Sequence, residues 1–304
     1  MASKKKLSCI DLFCGCGGMS LGLQKAGFDV KAGFEFWDSA IRVYAENFKH
    51  PVIKQDLSNV DESVSKIAPF KPDLIVGGPP CQDFSTAGHQ NEGLGRAVLS
   101  VHYSQIVCQI LPKFFIMENV ANIKNSQSFK KVIENFKKAG YGLTQRVLDA
   151  AYCGVPQTRK RMFIIGGLNE KDDFLGNELD AALSDKPMSI HDYLGDKLGT
   201  EYYFRVPTNY TRRGVFSIYE PSMTIRAVDR PIPKGYKGNV NDSAPLHMAR
   251  CLTPKERSFI QTFPDSFNFI GSKTDLQTMI GNAVPVNLAK YVGQALLRYL
   301  KAKG

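Results

Sequence analysis

The sequence lacks any segment suited to crossing a membrane. It contains no run of about 18 consecutive apolar residues. Its charged opening, MASKKK, is not followed by the apolar stretch of a secretory signal. These absences argue against membrane spanning and secretion, and we expect a cytoplasmic protein.

Paired cysteines are also absent. The seven cysteines are scattered singly, and Cys14 and Cys16 stand closer together than the ligands of a usual zinc knuckle. An odd, unpaired set argues against a disulfide framework. We therefore expect a reducing compartment and no metal site.

Acidic residues are in the minority. The chain has 304 residues, with 39 Lys and Arg against 29 Asp and Glu, a net charge of +10 and a pI of about 9.2. This excess favours a polyanionic partner such as nucleic acid, although a basic protein without such a partner has the same charge. The length suits one large domain or two unequal ones.

The first half of the chain alternates short apolar runs with helical patterns. Strands are predicted at residues 7–13 and 28–35, and a helical period joins Met19, Leu23 and Ala26 between them. Repeated βα units of this kind predict an α/β fold with a doubly wound, mostly parallel sheet.

Two stretches interrupt the alternation. Residues 77–95 are rich in Gly and Pro and show no periodic apolar pattern, which predicts a long loop of the kind that in a compact domain is usually functional or disordered. Residues 170–245 interleave Pro, Gly, Asn, Tyr and Arg and predict a smaller, loop-rich, β-containing domain. A helical period returns near the end and is expected to pack back on the first domain. We therefore place the larger domain at 1–175 plus 270–304 and the smaller one at 176–269.

Polar groups follow three of the predicted strands. DLFCGCGG (residues 11–18) follows the first, Glu35 ends the second and Asp56 ends the third. Ligands of open α/β sheets bind at this edge. A carboxylate after the second strand suits a ribose diol, one after the third suits an adenine amino group, and Phe36 offers a ring face. Singly, a glycine turn or a terminal acid is more often structural, but the ordered set favours a nucleoside cofactor.

Cys81, in GGPPCQDFS (residues 77–85), is the candidate nucleophile. A lone cysteine is more often a small buried hydrophobe. This one follows a strand and a rigid Pro-Pro turn at the same sheet edge, where cations or a helix N-terminus lower the pKa of a thiol.

Two further segments carry polar groups of interest. Glu118 ends the apolar run in FFIMENV and is either a structural hydrogen-bond partner or a general acid with a raised pKa. In QTRKR, Gln157, Arg159 and Arg161 alternate on one face of an extended segment. They form either a cationic row suited to phosphates and base edges or an ordinary solvated strand.

From about residue 7 to about residue 297 the sequence resembles the C5-cytosine-specific DNA methyltransferase family of bacterial restriction-modification type. The resemblance rests on blocks in the family's order: DLFCGCGG, FEFWD, KQDL, GGPPCQDFS, MENV, QTRKR, LTPKERSFIQTFPDSF and GNAVPVNLAKYVGQAL. It implies a Rossmann-like, S-adenosylmethionine-dependent methyltransferase fold. The larger predicted domain would bind the cofactor and catalyse, and the smaller one would recognise the target.

The resemblance also assigns catalytic roles. Cys81 would add to carbon 6 of cytosine and so activate carbon 5 for methyl transfer from S-adenosyl-L-methionine, giving S-adenosyl-L-homocysteine without a metal. Glu118 would hydrogen-bond or protonate ring N3, Arg161 would hold the base O2, and Arg159 would order the site around Glu118. The positions that match the family's cofactor contacts are Phe13, Gly15, Gly17, Glu35, Phe36, Asp56, Leu57, Pro80 and Asn282.

Double-stranded DNA is the implied partner. Carbon 6 is out of reach in a stacked duplex, so the cytosine must be flipped out. The loop from Gln82 to about residue 95 is expected to close over the DNA, with Gln82 and Ser85 in contact with it. Arginine is the commonest reader of guanine, and the smaller domain resembles those of enzymes that read short GC-rich sites, of the GGCC type. The candidate readers are Arg212, Arg213, Arg226 and Arg230. Arginines that contact only phosphates would give affinity for DNA without sequence specificity.

Other interpretations compete with this one. A transfer-RNA cytosine-C5 methyltransferase with the same catalytic set is the nearest rival. A non-catalytic regulatory relative is disfavoured by the intact Cys81, Glu118 and Arg161. An amino-methyltransferase is disfavoured by GPPCQ in place of an Asp/Asn-Pro-Pro-aromatic turn, and a nicotinamide dehydrogenase by the wrong glycine fingerprint. We expect a monomer associated with the nucleoid of a prokaryote, with a restriction endonuclease acting on the same site.

Overall fold

A computed structural model describes residues 6–80, 98–209 and 211–303. Its helices and strands follow in chain order: β1 (Ser8–Leu12), α1 (Gly18–Ala26), β2 (Asp29–Glu35), α2 (Asp38–Asn47), β3 (Val52–Lys54), α3 (Val60–Ile67), β4 (Leu74–Gly77), α4 (Val98–Ile110), β5 (Phe114–Val120), α5 (Gln127–Lys138), β6 (Tyr141–Asp149), β7 (Gln157–Thr158), β8 (Lys160–Leu168), α6 (Gly176–Asp180), α7 (Ile190–Leu194), β9 (Tyr202–Phe204), β10 (Val215–Ser217), β11 (Ser222–Met223), β12 (Arg250–Cys251), α8 (Pro254–Ile260), α9 (Lys273–Asn282) and α10 (Val286–Lys303). The predicted βα alternation of the first half is confirmed.

One seven-stranded sheet organises the larger part of the chain, in the order β3-β2-β1-β4-β5-β8-β6. β1 is parallel to β2 and β4, and β4 is parallel to β5, whereas β8 runs antiparallel between β5 and β6. The predicted doubly wound, mostly parallel sheet is confirmed. Because the strand order reverses between β1 and β4, a ligand crevice is expected at their carboxyl ends.

Helices cover both faces of this sheet, because its strands carry apolar residues on both sides. On one face, α1 and α10 contribute Leu23 and Leu288 to a buried cluster. On the other face, α3, α4 and α5 contribute Ile67, Tyr103 and Phe136. The last helix therefore packs back on the first part of the chain, as predicted.

A second region closes over the carboxyl edge of the large sheet. It contains the three-stranded sheet β10-β9-β12 and the two-stranded pair β11-β7. A shared buried cluster joins it to the first region, with Cys16 and Val43 beside Tyr203 and Ile260. The domain limits at 1–175, 176–269 and 270–304 stay a prediction.

No helix among the described residues is long and apolar enough to cross a membrane.

Candidate active site

A cleft of about 1160 Å³ opens at the carboxyl edge of the sheet, beside the reversal of strand order. Its floor comes from residues at the ends of β1, β2, β4 and β5. Its opposite wall comes from residues of 222–230 and 279–284. The fold thus brings segments far apart in the sequence around one concave site.

The carboxylate of Glu35 is fixed at the end of β2 by backbone N–H groups. One oxygen accepts a hydrogen bond from Gly15 at 2.8 Å, and the other accepts from Phe36 and Trp37 at 2.8 and 2.9 Å. Gly15 has a φ of +54°, and nothing lies within 4 Å of the position a Cβ would take. The turn therefore leaves room for a ligand beside a carboxylate whose Oε2 keeps a lone pair for a hydroxyl group.

The other predicted cofactor residues fall into two groups. Phe13, Pro80 and Asn282 line the cleft together with Gly15 and Glu35. The structure thus brings five of the nine predicted positions to one site, although they come from four separate segments of the chain.

Gly17, Phe36, Asp56 and Leu57 are not among the lining residues. A Cβ on Gly17 would meet the ring of Phe48 rather than the cleft, and Leu57 is buried against the sheet. The exposed carboxylate of Asp56 accepts a hydrogen bond from a backbone N–H two residues further on, at 2.9 Å. The ring of Phe36 is 62% exposed. Their contact with a cofactor stays a prediction.

Asp11 begins a buried hydrogen-bonded chain beneath the glycine turn. Its carboxylate accepts from the Ser20 hydroxyl at 2.6 Å, the Tyr44 hydroxyl lies 2.7 Å from Ser20 Oγ, and His50 Nε2 lies 2.7 Å from Tyr44. Burial raises the pKa of Asp11 to about 7, the hydrogen bond from Ser20 opposes this rise, and the charge of Glu35 adds to it. Sequence reasoning missed this group because nothing in DLFCGCGG shows that the aspartate is buried.

Glu118 and Arg161 form an ion pair on the cleft floor. Arg161 Nε lies 3.0 Å from a carboxylate oxygen of Glu118, and the two side chains are 15% and 10% exposed. Burial raises the pKa of Glu118, while the charges of Arg161 and Arg159 oppose the rise. A Cβ on Gly78 would lie 3.1 Å from Glu118 Oε2, so the turn that leads to Cys81 lies against this pair. Such a carboxyl suits a general acid.

Arg159 does not join Arg161 in an exposed row. Both Arg159 and Gln157 are buried. The guanidinium donates to three backbone carbonyls at 3.1 to 3.2 Å, those of Ile225, Gly281 and Ala283. The interpretation of QTRKR as a cationic row for phosphates is therefore wrong for Gln157 and Arg159, because both side chains are buried and make hydrogen bonds within the protein. Arg159 influences Glu118 through its charge.

Cys81, Gln82 and Ser85 lie outside the described residues. The turn in front of Cys81 is held by Asn119, whose Nδ2 donates to the carbonyl of Pro79 at 3.3 Å. The MENV segment marked this part of the chain, but sequence reasoning gave Asn119 no role.

The four predicted recognition arginines occupy different surroundings. Arg226 and Arg230 are exposed and line the cleft. Arg213 pairs with Glu220 at 2.5 Å and so takes part in holding the smaller sheet. Arg212 is exposed but is not among the lining residues.

Within residues 6–80, 98–209 and 211–303, no group of three or more His, Cys, Asp or Glu side chains is arranged to hold a metal ion.

Known proteins resemble the chain over nearly its whole length. The model of the family described as C-5 cytosine-specific DNA methylase matches residues 7–298. The type II methyltransferase M.HindV of Haemophilus influenzae is 56% identical over 97% of this chain and 98% of that protein. The type II methyltransferase M.HgiDI of Herpetosiphon aurantiacus is 49% identical over 96% and 94%. The structure of the Dnmt2 methyltransferase of S. pombe superposes with a TM-score of 0.71 at 18% identity, over 97% of this chain and 99% of that one, which shows a shared fold.

Proposed function

The chain belongs to the C-5 cytosine-specific DNA methylase family and is a DNA (cytosine-5-)-methyltransferase of the type II restriction-modification kind, and we propose that it acts through covalent addition of Cys81 to a flipped-out cytosine. The observation that carries this mechanism is the buried Glu118–Arg161 pair, against which the turn before Cys81 lies. It provides an acid and a cation next to the expected position of the nucleophile.

The cleft fits S-adenosyl-L-methionine as the methyl donor. The fixed carboxylate of Glu35 suits a ribose hydroxyl, and the open position at Gly15 allows close approach to the backbone. Phe13 and Trp37 add apolar surface, and Asn282 adds an amide. When bound, the cofactor supplies an electrophilic methyl group on a sulfonium, and S-adenosyl-L-homocysteine is the product.

Activation of the cytosine is assigned to three side chains. Carbon 5 is a poor nucleophile until the Cys81 thiolate forms an S–C6 bond and the electron pair of the C5–C6 double bond moves into the ring. Protonation of N3 by Glu118 stabilises this charge, and Arg161 holds O2. The resulting enamine carbon 5 takes the methyl group. Loss of the C5 proton then expels Cys81 and restores the ring.

Recognition of a short GC-containing duplex site is assigned to the opposite wall of the cleft. Arg226 and Arg230 are exposed there, and arginine reads guanine edges in the major groove. Arg212 is assigned a contact outside the cleft lining, and Gln82 and Ser85 contacts beside the flipped base. GGCC is the first sequence to test.

Bisulfite sequencing of plasmid DNA incubated with the purified protein and S-adenosyl-L-methionine tests the activity, the modified base and the site together. We expect protected cytosines at one recurring sequence and none without the cofactor. Absence of protected cytosines would contradict the proposal. Methylation of transfer RNA but not of duplex DNA would instead support the rival function.

Trapping on DNA that carries 5-fluorocytosine tests the covalent step. Fluorine at carbon 5 cannot leave as a proton does, so the Cys81 adduct should persist through denaturation. Cys81→Ser should form no adduct and should keep cofactor and DNA binding. Cys108→Ser is the matched control, because Cys108 lies outside the cleft lining, with its Sγ 3.5 Å from the Asn135 carbonyl. An adduct in Cys81→Ser would rule out Cys81 as the nucleophile.

The type II relatives also suggest a genetic partner. We propose that a restriction endonuclease cuts the same sequence and that the methyltransferase works as a monomer in the cytoplasm, on the nucleoid of a prokaryote. The methyltransferase should protect its recognition sequence in plasmid DNA from cells that express it. Such plasmid should therefore resist an endonuclease that cuts the unmethylated form of this sequence.

A further inference from the structure

The cleft wall formed by residues 225–230, called the strap below, alternates exposed and inward side chains. Arg226, Val228 and Arg230 are exposed, whereas Ile225 is buried and Asp229 is partly buried. A period of two is the pattern of an extended segment. Arg226 and Arg230 lie on the exposed face of this pattern and line the cleft.

Three buried side chains hold the backbone of the strap from beneath. Gln157 accepts a hydrogen bond from the N–H of Ile225 at 2.9 Å, and Arg159 donates to the carbonyl of Ile225 at 3.1 Å. Arg257 donates to the carbonyl of Arg226. The strap is thus fixed through its main chain, which leaves its exposed arginines available for another molecule.

Arg257 is the anchor that neither the sequence nor the catalytic scheme explains. It lies on α8, is 3% exposed, and its Nη1 has no hydrogen-bond partner among the described residues. Burial lowers its pKa, and the charge of Asp229 opposes that change. A buried guanidinium with an unused donor lowers the stability of the fold. An apolar side chain at this position of α8 would avoid that penalty. The hydrogen bond that Arg257 does make is to the strap carbonyl of Arg226.

On the basis of the proposed function, we propose that Arg257 is a positioning residue for DNA recognition. It holds the carbonyl of Arg226 through a hydrogen bond, and so sets the register in which Arg226 and Arg230 face the DNA.

The strap cannot compensate by moving towards α9, the helix that carries Gly281. A Cβ added at Gly281 would overlap the main chain of Arg226 and Ala227, so the two backbones are already as close as a glycine allows. Loss of Arg257 therefore allows the part of the strap beyond Ile225 to move outward, while Gln157 and Arg159 still hold Ile225. Within the described residues, neither Glu118 nor Arg161 shares a hydrogen bond or an ion pair with Arg257, so this pair should stay intact.

A double-mutant cycle on methylation kinetics tests the inference. Arg257→Met should raise the KM for target DNA by about tenfold or more and reduce discrimination against a duplex with one changed base pair. The value of kcat at saturating DNA and the Kd of the cofactor should stay within about twofold of the wild type. Arg226→Ala should raise the same KM. On the Arg226→Ala background, Arg257→Met should add little further change, because one residue acts through the other.

Two further variants separate positioning from general packing. Arg257→Lys keeps a charge and a donor and should restore most of the discrimination. Arg298, on the distant helix α10, donates hydrogen bonds to the carboxylate and the backbone carbonyl of Glu178. Arg298→Met should therefore leave the KM for DNA and the discrimination between duplexes unchanged. If Arg257→Met does not fold, Arg257→Gln, which is too short to reach the strap carbonyl, takes its place in the cycle.

Additive effects in the cycle, or unchanged discrimination in a folded Arg257 variant, would overturn the inference. Lowered kcat and cofactor affinity with unchanged discrimination would also overturn it, because that result indicates a packing role. A wild-type protein that methylates no DNA would instead refute the proposed function.

Discussion

The buried carboxyl of Asp11 predicts an unusual pH dependence of stability. Burial raises its pKa to about 7, whereas an aspartate in an unfolded chain has a pKa of about 3.9. Between these values the folded protein keeps a proton that the unfolded chain has released. Because the folded state binds more protons, the free energy of unfolding falls as the pH rises through this window and levels off above about 7.

The magnitude follows from the two pKa values. Their difference of about 3 corresponds to about 4 kcal/mol, at about 1.4 kcal/mol for each factor of ten. The practical range of measurement runs from about pH 5 to about pH 8, and most of it lies inside the window. As the pH rises across this range, the titration of Asp11 should lower the free energy of unfolding by about 3 kcal/mol. An asparagine cannot titrate, so Asp11→Asn should lose this component.

Urea unfolding across that pH range measures the effect. The difference in unfolding free energy between Asp11→Asn and the wild type should change by about 3 kcal/mol between the two ends, because other titrating groups cancel in the difference. Asp61→Asn is the matched control, since Asp61 is exposed in the first turn of α3, and its difference should vary by less than about 0.5 kcal/mol. A pH-independent difference for Asp11→Asn would refute the reasoning.

Three further predictions concern the site, its wall and its DNA partner. Glu118→Gln cannot protonate N3, so it should lower kcat by about 10²- to 10⁴-fold. It should also abolish the alkaline limb that the raised pKa of Glu118 gives to the pH profile of kcat/KM. Single-turnover rates equal to those of the wild type would contradict this role. Gly281→Ala should force the strap away from α9 and lower the free energy of unfolding by about 1 to 3 kcal/mol. An unchanged urea midpoint would contradict this and show that the strap yields easily. With a net charge of +10, the protein should bind non-target duplex DNA mainly through phosphate contacts. The logarithm of the association constant, measured by fluorescence anisotropy, should therefore fall linearly with the logarithm of the salt concentration, and a salt-independent constant would argue against such contacts.

Much of the fold follows from local sequence pattern. Short apolar runs separated by a helical stripe predicted β1, β2 and the helix α1 between them, because strands of a parallel sheet are buried on both faces. The same logic located Glu35 and Glu118, since a polar residue that ends an apolar strand in this topology lies at the ligand edge. The antiparallel insertion of β8 between β5 and β6 was not predicted, because strand order depends on contacts between distant segments.

The sequence by itself determined the βα framework, the residue types at the sheet edge and the order of the family's motifs. Only the tertiary structure decided which charged groups are buried and what they contact. Arg159 looks like one member of a basic segment, yet its partners stand 66 to 124 residues away in the chain. The titration of Asp11 and the anchoring of the strap by Arg257 likewise depend on burial by neighbours remote in sequence. Desolvation and hydrogen bonding are properties of the packed environment, and a one-dimensional pattern does not specify them.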